Sequence, residues 1–496
     1  MRKLARRTRL ALAYLGVGLL VAAASIALAL VVTPVQDVTV AGEEIGVGAA
    51  APALSVSGPG EVDLFGQRLP TTLQFAGPVR PRLTLTHITL NQQLASMFSP
   101  GRGHAPGRAT IGHALASAWT TYFGWEACVT GVCALLLVGS LCGWGRLSVR
   151  RTLALLAAGL ALAEAANLGG IMVTAYTAPA RLAQVNSLTG LVGQARLPTV
   201  QNAAGPPQTR VQAVVMGEST AAGLGNPLVA HPSAVSRACR RSADAYAADL
   251  AAVNDWDVLN LACSGATIQD GLLGPQHAGG VTAPAQLAEA RKATHAQLVI
   301  VSIGANDVGW SGLVGLCAAA KSCADSASTA YFQQHLATFT SQYYQLLEQL
   351  ATLPSHPRVL INLYYNPFDP RQRCLTGEGL DTAKENALTG LLNALNKVLS
   401  NGATAASQIP VQADFTGHAL CDPGPYVQGV GDPAPFHPTA AGELAIALAD
   451  ERALQQAETS PGATPALTPG ATPATPGPGL PSLGATASPA TSRSSR

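Results

Sequence analysis

The chain has 496 residues and a formal net charge of +2, and it carries no basic patch interleaved with aromatic residues, which argues against nucleic acid as a partner. Charged residues make up only 12% against 48% hydrophobic, a shortfall concentrated in the first third and low for a soluble domain. Membrane insertion of that third is the simplest explanation, and the length leaves room for a full-sized core beyond it.

Residues 1–9 carry Arg2, Lys3, Arg6, Arg7 and Arg9 and are expected in the cytoplasm. Residues 10–32 are an unbroken apolar run, long enough as a helix to cross a hydrocarbon core of about 30 Å. A signal peptide is the competing reading, but its apolar region is usually about 7–15 residues long. Two more apolar stretches, 122–144 and 152–176, flank a loop at 145–151 that contains Arg146, Arg150 and Arg151. Basic loops stay cytoplasmic, so the expected topology is three transmembrane helices that deliver everything after residue 176 to the outer face.

Between the first two spans, residues 33–121 alternate β-favouring residues with turn signals at Ser57-Gly58-Pro59-Gly60 and Ala76-Gly77-Pro78. They are expected to form a small β-rich outer unit. His104 and His113 lack the Cys, Asp or Glu partners that a metal site needs. Glu126, beside Trp125, is expected at the membrane interface. Glu164 falls inside the third span with Asn167 one turn away. An acid at membrane depth is a functional candidate by default, but with no second intramembrane charge to complete a relay the pair reads as a helix-packing hydrogen bond.

After a linker at 177–205, residues 206–457 alternate strand and helix patterns. Strands are read at 211–216, 256–262, 297–303, 358–364 and 409–413. Helices are read at 236–253, 286–292, 331–353, 381–399 and 438–457. This alternation implies an α/β fold with a doubly wound parallel sheet, whose chemistry lies in the loops after the strands.

Those loops hold four blocks in order: Gly217-Glu218-Ser219, Cys263-Ser264-Gly265-Ala266-Thr267, Gly304-Ala305-Asn306-Asp307 and Phe436-His437-Pro438. Together they resemble the SGNH hydrolases, also called GDSL esterases and lipases, and the Pro435–Gly442 segment looks like the secreted actinobacterial esterases. The resemblance covers about half the chain and implies a three-layer flavodoxin-like domain that hydrolyses carboxylic esters without a cofactor or metal.

The residue types suit that chemistry on their own terms. A serine hydroxyl becomes a useful nucleophile when a base takes its proton, and imidazole is suited to that exchange near neutrality. Ser219 is the expected nucleophile and His437 the expected base. The resemblance implies an oxyanion hole made from the backbone N–H groups of Ser219 and Gly265 and the side-chain amide of Asn306. Ser219 read alone is an ordinary helix cap, and Asn306 and His437 read alone are ordinary loop residues. The ordered set carries the catalytic reading.

Two positions depart from the family pattern. Glu218 replaces the usual aspartate, with little expected consequence for the nucleophile. The position three residues before the histidine, where the family keeps its acid, is Ala434, and alanine cannot orient an imidazole. Asp432 or a backbone carbonyl is left to do so, and the stiffness of Pro433 and Pro435 favours the carbonyl.

Of nine cysteines, Cys128, Cys133 and Cys142 fall in the second span and six lie in the catalytic half. An even set in an outward-facing domain suggests disulfides, though spacing alone does not choose among the pairings. Resemblance to the secreted esterases implies Cys239 with Cys263, Cys317 with Cys323, and Cys374 with Cys421. Residues 458–496 form a Pro-, Ala-, Thr- and Ser-rich tail that cannot bury a core and is expected to be disordered.

The resulting expectation is a membrane-anchored, extracytoplasmic serine esterase or lipase acting on a lipid, an acylated glycan or a small ester. One alternative is an acyltransferase or deacylase of envelope glycans or lipids using the same site. Another is a catalytically silent binding or sensor module.

Overall fold

The computed structural model describes residues 2–40, 43–53, 55, 57–77, 79–87, 108–145, 148–182, 200 and 205–459. The tail beyond 459, His104, Arg146 and most of the linker before residue 205 lie outside the described residues, as does the side chain of His113.

Three helices dominate the first part: α1 (Arg2–Val32), α2 (Arg108–Trp144) and α3 (Val149–Leu182). Within them Tyr14–Val32, Ser117–Trp144 and Val149–Thr174 are long and apolar enough to cross a membrane. They meet through small side chains, with Ala22, Ala134 and Ala163 in one cluster, so the backbones approach closely. Leu20, Leu136 and Met172 face outward and stay exposed.

Glu126 does not lie at an interface. It is fully buried between α2 and α3, where Asn167 Nδ2 donates to Oε2 at 2.6 Å and Thr130 Oγ1 donates to Oε1 at 2.9 Å. Asn167 therefore partners Glu126, although Glu164 is nearer in sequence. A carboxyl away from water draws in whichever donors the packing supplies.

Strands β1 (Gln36–Val40), β2 (Glu43–Ala49), β3 (Ser57–Leu64), β4 (Gln67–Ala76) and β5 (Pro81–His87) form a five-stranded sheet in the order β1-β2-β5-β3-β4. The Ser57–Gly60 stretch, expected to turn, instead opens β3 with a register irregularity between Pro59 and Glu61. A Cβ on Gly58 would meet the Arg80 guanidinium, and one on Gly60 would meet the Phe75 ring, so these glycines make room for packing inside the sheet. The unit also ends sooner than expected, because α2 already begins at Arg108.

This sheet is wedged between the apolar helices and the second half of the chain. On one side Trp119 Nε1 donates to the Gly48 carbonyl at 3.1 Å and Thr174 Oγ1 to that of Val79 at 2.5 Å. On the other, the β3–β4 turn inserts Phe65 against Tyr343 and Tyr344, and Asn401 Nδ2 donates to the Phe65 carbonyl at 2.9 Å.

The second half is built on the parallel strands β6 (Ala213–Gly217), β7 (Val258–Asn260), β10 (Leu298–Ser302), β11 (Arg358–Leu363) and β12 (Ile409–Gln412), ordered β12-β11-β10-β6-β7. A small hairpin, β8 (Gln276–Ala278) with β9 (Val281–Ala283), stands apart. Every position of β6 and β10 is buried, as expected of central strands covered on both faces. The order reverses direction between β6 and β10, and in open α/β sheets that switch point opens a crevice at the carboxyl ends of the strands.

The helices are α4 (Ser219–Ala222), α5 (Ala234–Ala238), α6 (Tyr246–Asn254), α7 (Gln286–Ala290), α8 (Trp310–Ala319), α9 (Ser326–Leu350), α10 (Thr382–Ala405) and α11 (Ala440–Thr459). Asp325 and Asp381 cap α9 and α10 by accepting from backbone N–H groups in the first turn. The single helix read over 236–253 is two. The chain breaks after α5 because Cys239 is tied to Cys263, Arg240 takes a positive φ of 61°, and Ser242 Oγ accepts from the Asp244 N–H.

Candidate active site

Strand β6 ends in Gly217, where a Cβ would collide with the carbonyl oxygen of Ser302 on β10. Gln286 on α7 fixes that glycine from both sides, accepting from its N–H at 2.8 Å and donating to its carbonyl at 2.9 Å. The turn that follows presents Ser219 as the first residue of α4, so its N–H has no acceptor within the helix.

His437 precedes α11 and reaches Ser219, with Nε2 2.8 Å from Oγ across 218 residues of sequence. Its Nδ1 lies 3.1 Å from the carbonyl oxygen of Pro435. Asp432 is turned elsewhere, with Oδ2 accepting from the Gly429 N–H at 2.7 Å. The backbone carbonyl, not Asp432, thus faces the imidazole. Gln428 holds this loop in shape: its backbone N–H donates to the His437 carbonyl, and its amide donates to those of Leu224 and Pro438. Tyr365 Oη adds a bond to the Phe436 carbonyl at 2.8 Å.

Gly265 adopts φ 82° in the loop after β7, a left-handed conformation that favours glycine. The Cys239–Cys263 disulfide tethers this loop, and Gln276 Nε2 donates to the Ser264 carbonyl at 2.9 Å. Disulfides also join Cys317 to Cys323 and Cys374 to Cys421.

Asn306, after β10, has its amide directed to two acceptors, the Ala266 carbonyl at 2.9 Å and Glu218 Oε2 at 3.1 Å. It thereby laces three loops together. Next to it Asp307 Oδ1 accepts from the Ile268 N–H at 2.9 Å, while Oδ2 is sealed without a partner, although the residue as a whole is half-buried. Burial pushes the Asp307 carboxyl up to about 7.

Glu218 is more than a variant of the expected aspartate. It is buried, and its Oε2 lies 2.7 Å from Ser219 Oγ and accepts from Asn306, while Oε1 accepts from Tyr364 Oη at 3.2 Å. Burial, with the Glu218 charge adding to it, pushes the Tyr364 phenol well above its ordinary range. Glu218 was legible as a neighbour of Ser219, but Tyr364, Gln286 and Gln428 gave no local signal of their part in the site.

Ser219, Gly265, Asn306 and His437 line one cleft of 380 Å³ with Trp310, Val314, Leu392, Leu395 and Phe436, and no Lys or Arg is among its lining residues. Its walls suit an apolar group, and its floor offers a hydroxyl, an imidazole and an amide. Among the described residues, no group of three or more His, Cys, Asp and Glu side chains is placed to hold a metal ion.

Residues 215–445 match the model of the GDSL-like Lipase/Acylhydrolase family. Among solved structures the chain is similar to an extracellular lipase from Streptomyces rimosus, at 22% identity and a TM-score of 0.40, over 50% of this chain and 99% of that one. It is similar to phospholipase A1 from Streptomyces albidoflavus at 23% identity and a TM-score of 0.37, over 49% and 98%. A carbohydrate acetylesterase from Sinorhizobium meliloti aligns at 16% identity and a TM-score of 0.28, over 49% and 99%. Comparison with curated proteins gives no match.

Proposed function

Residues 215–445 form a GDSL-like lipase/acylhydrolase domain, an ester-bond hydrolase, and from that premise we propose that the chain is a membrane-anchored, outward-facing serine esterase working through an acyl-enzyme. The observation that carries the reading is the 2.8 Å contact between Ser219 Oγ and His437 Nε2 at the floor of an apolar cleft. His437 takes the hydroxyl proton as Ser219 attacks the ester carbonyl, then returns it to the leaving alkoxide. Water repeats the sequence on the acyl-enzyme. The Pro435 carbonyl keeps the Nδ1 hydrogen in place, which leaves Nε2 to face the nucleophile.

The tetrahedral oxyanion is met by the N–H groups of Ser219 and Gly265, with Asn306 as the third donor. Because both Asn306 amide hydrogens already have acceptors, its contribution requires sharing or loosening the bond to Glu218. The lining favours an apolar acyl group over a charged one, since no cation is there to pair with an anionic substrate. The three apolar helices and the arginines at 146, 150 and 151 support an N-terminus inside and a catalytic half outside.

Fluorophosphonate labelling of the intact protein in detergent tests the reading. Ser219 is expected to label and Ser219→Ala to lose the label. Wild-type protein that neither labels nor cleaves short p-nitrophenyl esters overturns it.

A further inference from the structure

The two backbone donors of the proposed oxyanion hole are aimed by different means. An N–H and the carbonyl before it share one rigid trans peptide and point in opposite directions, so whatever grips the carbonyl also aims the N–H. For Ser219 that carbonyl belongs to Glu218, and it accepts from the Ala222 N–H at 3.0 Å, the first bond of α4. For Gly265 it belongs to Ser264, in a loop with no helix to hold it. There Gln276 Nε2, on β8, donates to it at 2.9 Å.

The local turn gives that bond its importance. The Ala266 N–H donates to the Cys263 carbonyl at 3.0 Å, which closes a four-residue turn with Ser264 and Gly265 in the middle. Positive φ falls on Gly265, at 82°, and not on Ser264. This is a type II turn, which differs from type I by a rotation of its middle peptide through roughly half a turn, while the closing bond is common to both. The middle peptide is the one that carries the Gly265 N–H. In the type II form Gln276 holds the Ser264 carbonyl, and the Gly265 N–H, with no acceptor among the described residues, is left to the cleft. The type I form would turn the Ser264 carbonyl there instead, where it repels an oxyanion.

Gln276 is ill suited to a purely structural role. It is buried, it is not among the residues that line the cleft, and its Oε1 has no partner. An orphaned buried acceptor lowers stability. The fold even makes room for it, since a Cβ on Gly271 would come within 3.0 Å of that oxygen.

Resting on the serine-esterase reading, we propose that Gln276 is a positioning residue of the oxyanion hole. By holding the Ser264 carbonyl it locks the 263–266 turn in the form that points the Gly265 N–H at the developing oxyanion. Lying outside the cleft lining, it acts on the transition state through Gly265 and not on substrate binding.

The test compares wild type with Gln276→Met, which keeps the length of the side chain without its donor, as intact protein in detergent acting on a short p-nitrophenyl ester. Gln276→Met is expected to lower kcat by about ten- to a hundredfold, with KM within about twofold of wild type and a melting temperature unchanged or higher. Affinity for a short alkyl boronic acid, which becomes a tetrahedral anion on Ser219, is expected to fall by the same factor as kcat/KM. Competitive inhibition by the ether isostere of the substrate, which has no carbonyl oxygen, is expected to stay as it is. Gln276→Leu is the second variant without a donor and is expected to behave alike. An unchanged kcat overturns the assignment while leaving the esterase reading intact. So does a loss shared by KM, ether binding and melting temperature, or the failure of both variants to fold, because the amide is then structural. A wild type that never labels with a fluorophosphonate overturns the esterase reading as well.

Discussion

Two buried glutamates in this protein are held by the same kinds of group. Glu126, between α2 and α3, accepts from the Thr130 hydroxyl and the Asn167 amide, and Glu218, at the end of β6, contacts the Ser219 hydroxyl and accepts from the Asn306 amide. What separates them is access and a base. The Glu218 cluster forms the floor of a 380 Å³ cleft with His437 2.8 Å from the serine, whereas the Glu126 cluster is sealed among helices, and Asn167 Oδ1 has no partner there. A hydroxyl, an amide and a carboxyl are therefore not a reactive site until a substrate can reach the hydroxyl and something can take its proton. The Glu126 cluster serves as a pin between two apolar helices.

The two clusters differ most at the base. His437→Ala is expected to lower kcat by about ten-thousand-fold or more without shifting the melting temperature, as read by ester hydrolysis and thermal unfolding. Asn306→Ala removes the proposed third oxyanion donor and a bond to Glu218, and a fall in kcat of about a hundred- to a thousand-fold is expected. A loss confined to KM would show that Asn306 only braces the loops.

Asp307 links the catalytic cluster to stability. Its carboxyl rises from 3.8 to about 7 because burial disfavours the charge, so the native state binds this proton more tightly than the unfolded chain does. The associated stability is fully present below about pH 4 and is lost as pH rises to about 7, with a slope of at most about 1.4 kcal/mol per pH unit. Asp307→Asn keeps an acceptor for the Ile268 N–H and is expected to flatten the decline in melting temperature across that window. An unchanged slope would mean that other buried acids, such as Glu443 and Asp450, account for it.

The smallest effect is expected at the other glutamate. Glu126→Ala leaves the Asn167 amide and the Thr130 hydroxyl without their acceptor and is expected to cost about 1 kcal/mol of helix association in detergent, with kcat unchanged. A loss of esterase activity at constant stability would break the comparison and make Glu126 functional.

The sequence alone determined the alternation of strands and helices, the four loops that carry Ser219, Gly265, Asn306 and His437, and the three long apolar runs. Each is a local pattern, set by periodicity and by the residues that end a strand or span a bilayer. Other features depended on tertiary structure. Ser219 and His437 are 218 residues apart, and whether Asp432 or the Pro435 carbonyl faces the imidazole depends on how Gln428 folds the loop between them. Glu126 is only two residues from Cys128 and eighteen from Trp144, yet its partner Asn167 comes from another helix. Phe65, in a turn of the β unit, fills a pocket between Tyr343 and Tyr344 that does not exist until the catalytic half has folded. Glu218 acquires its setting in the same way. A carboxyl beside a serine is ordinary in a solvated turn, but here the packing of β6 against β10 takes water away, brings Asn306 and Tyr364 to Glu218 and sets His437 against Ser219.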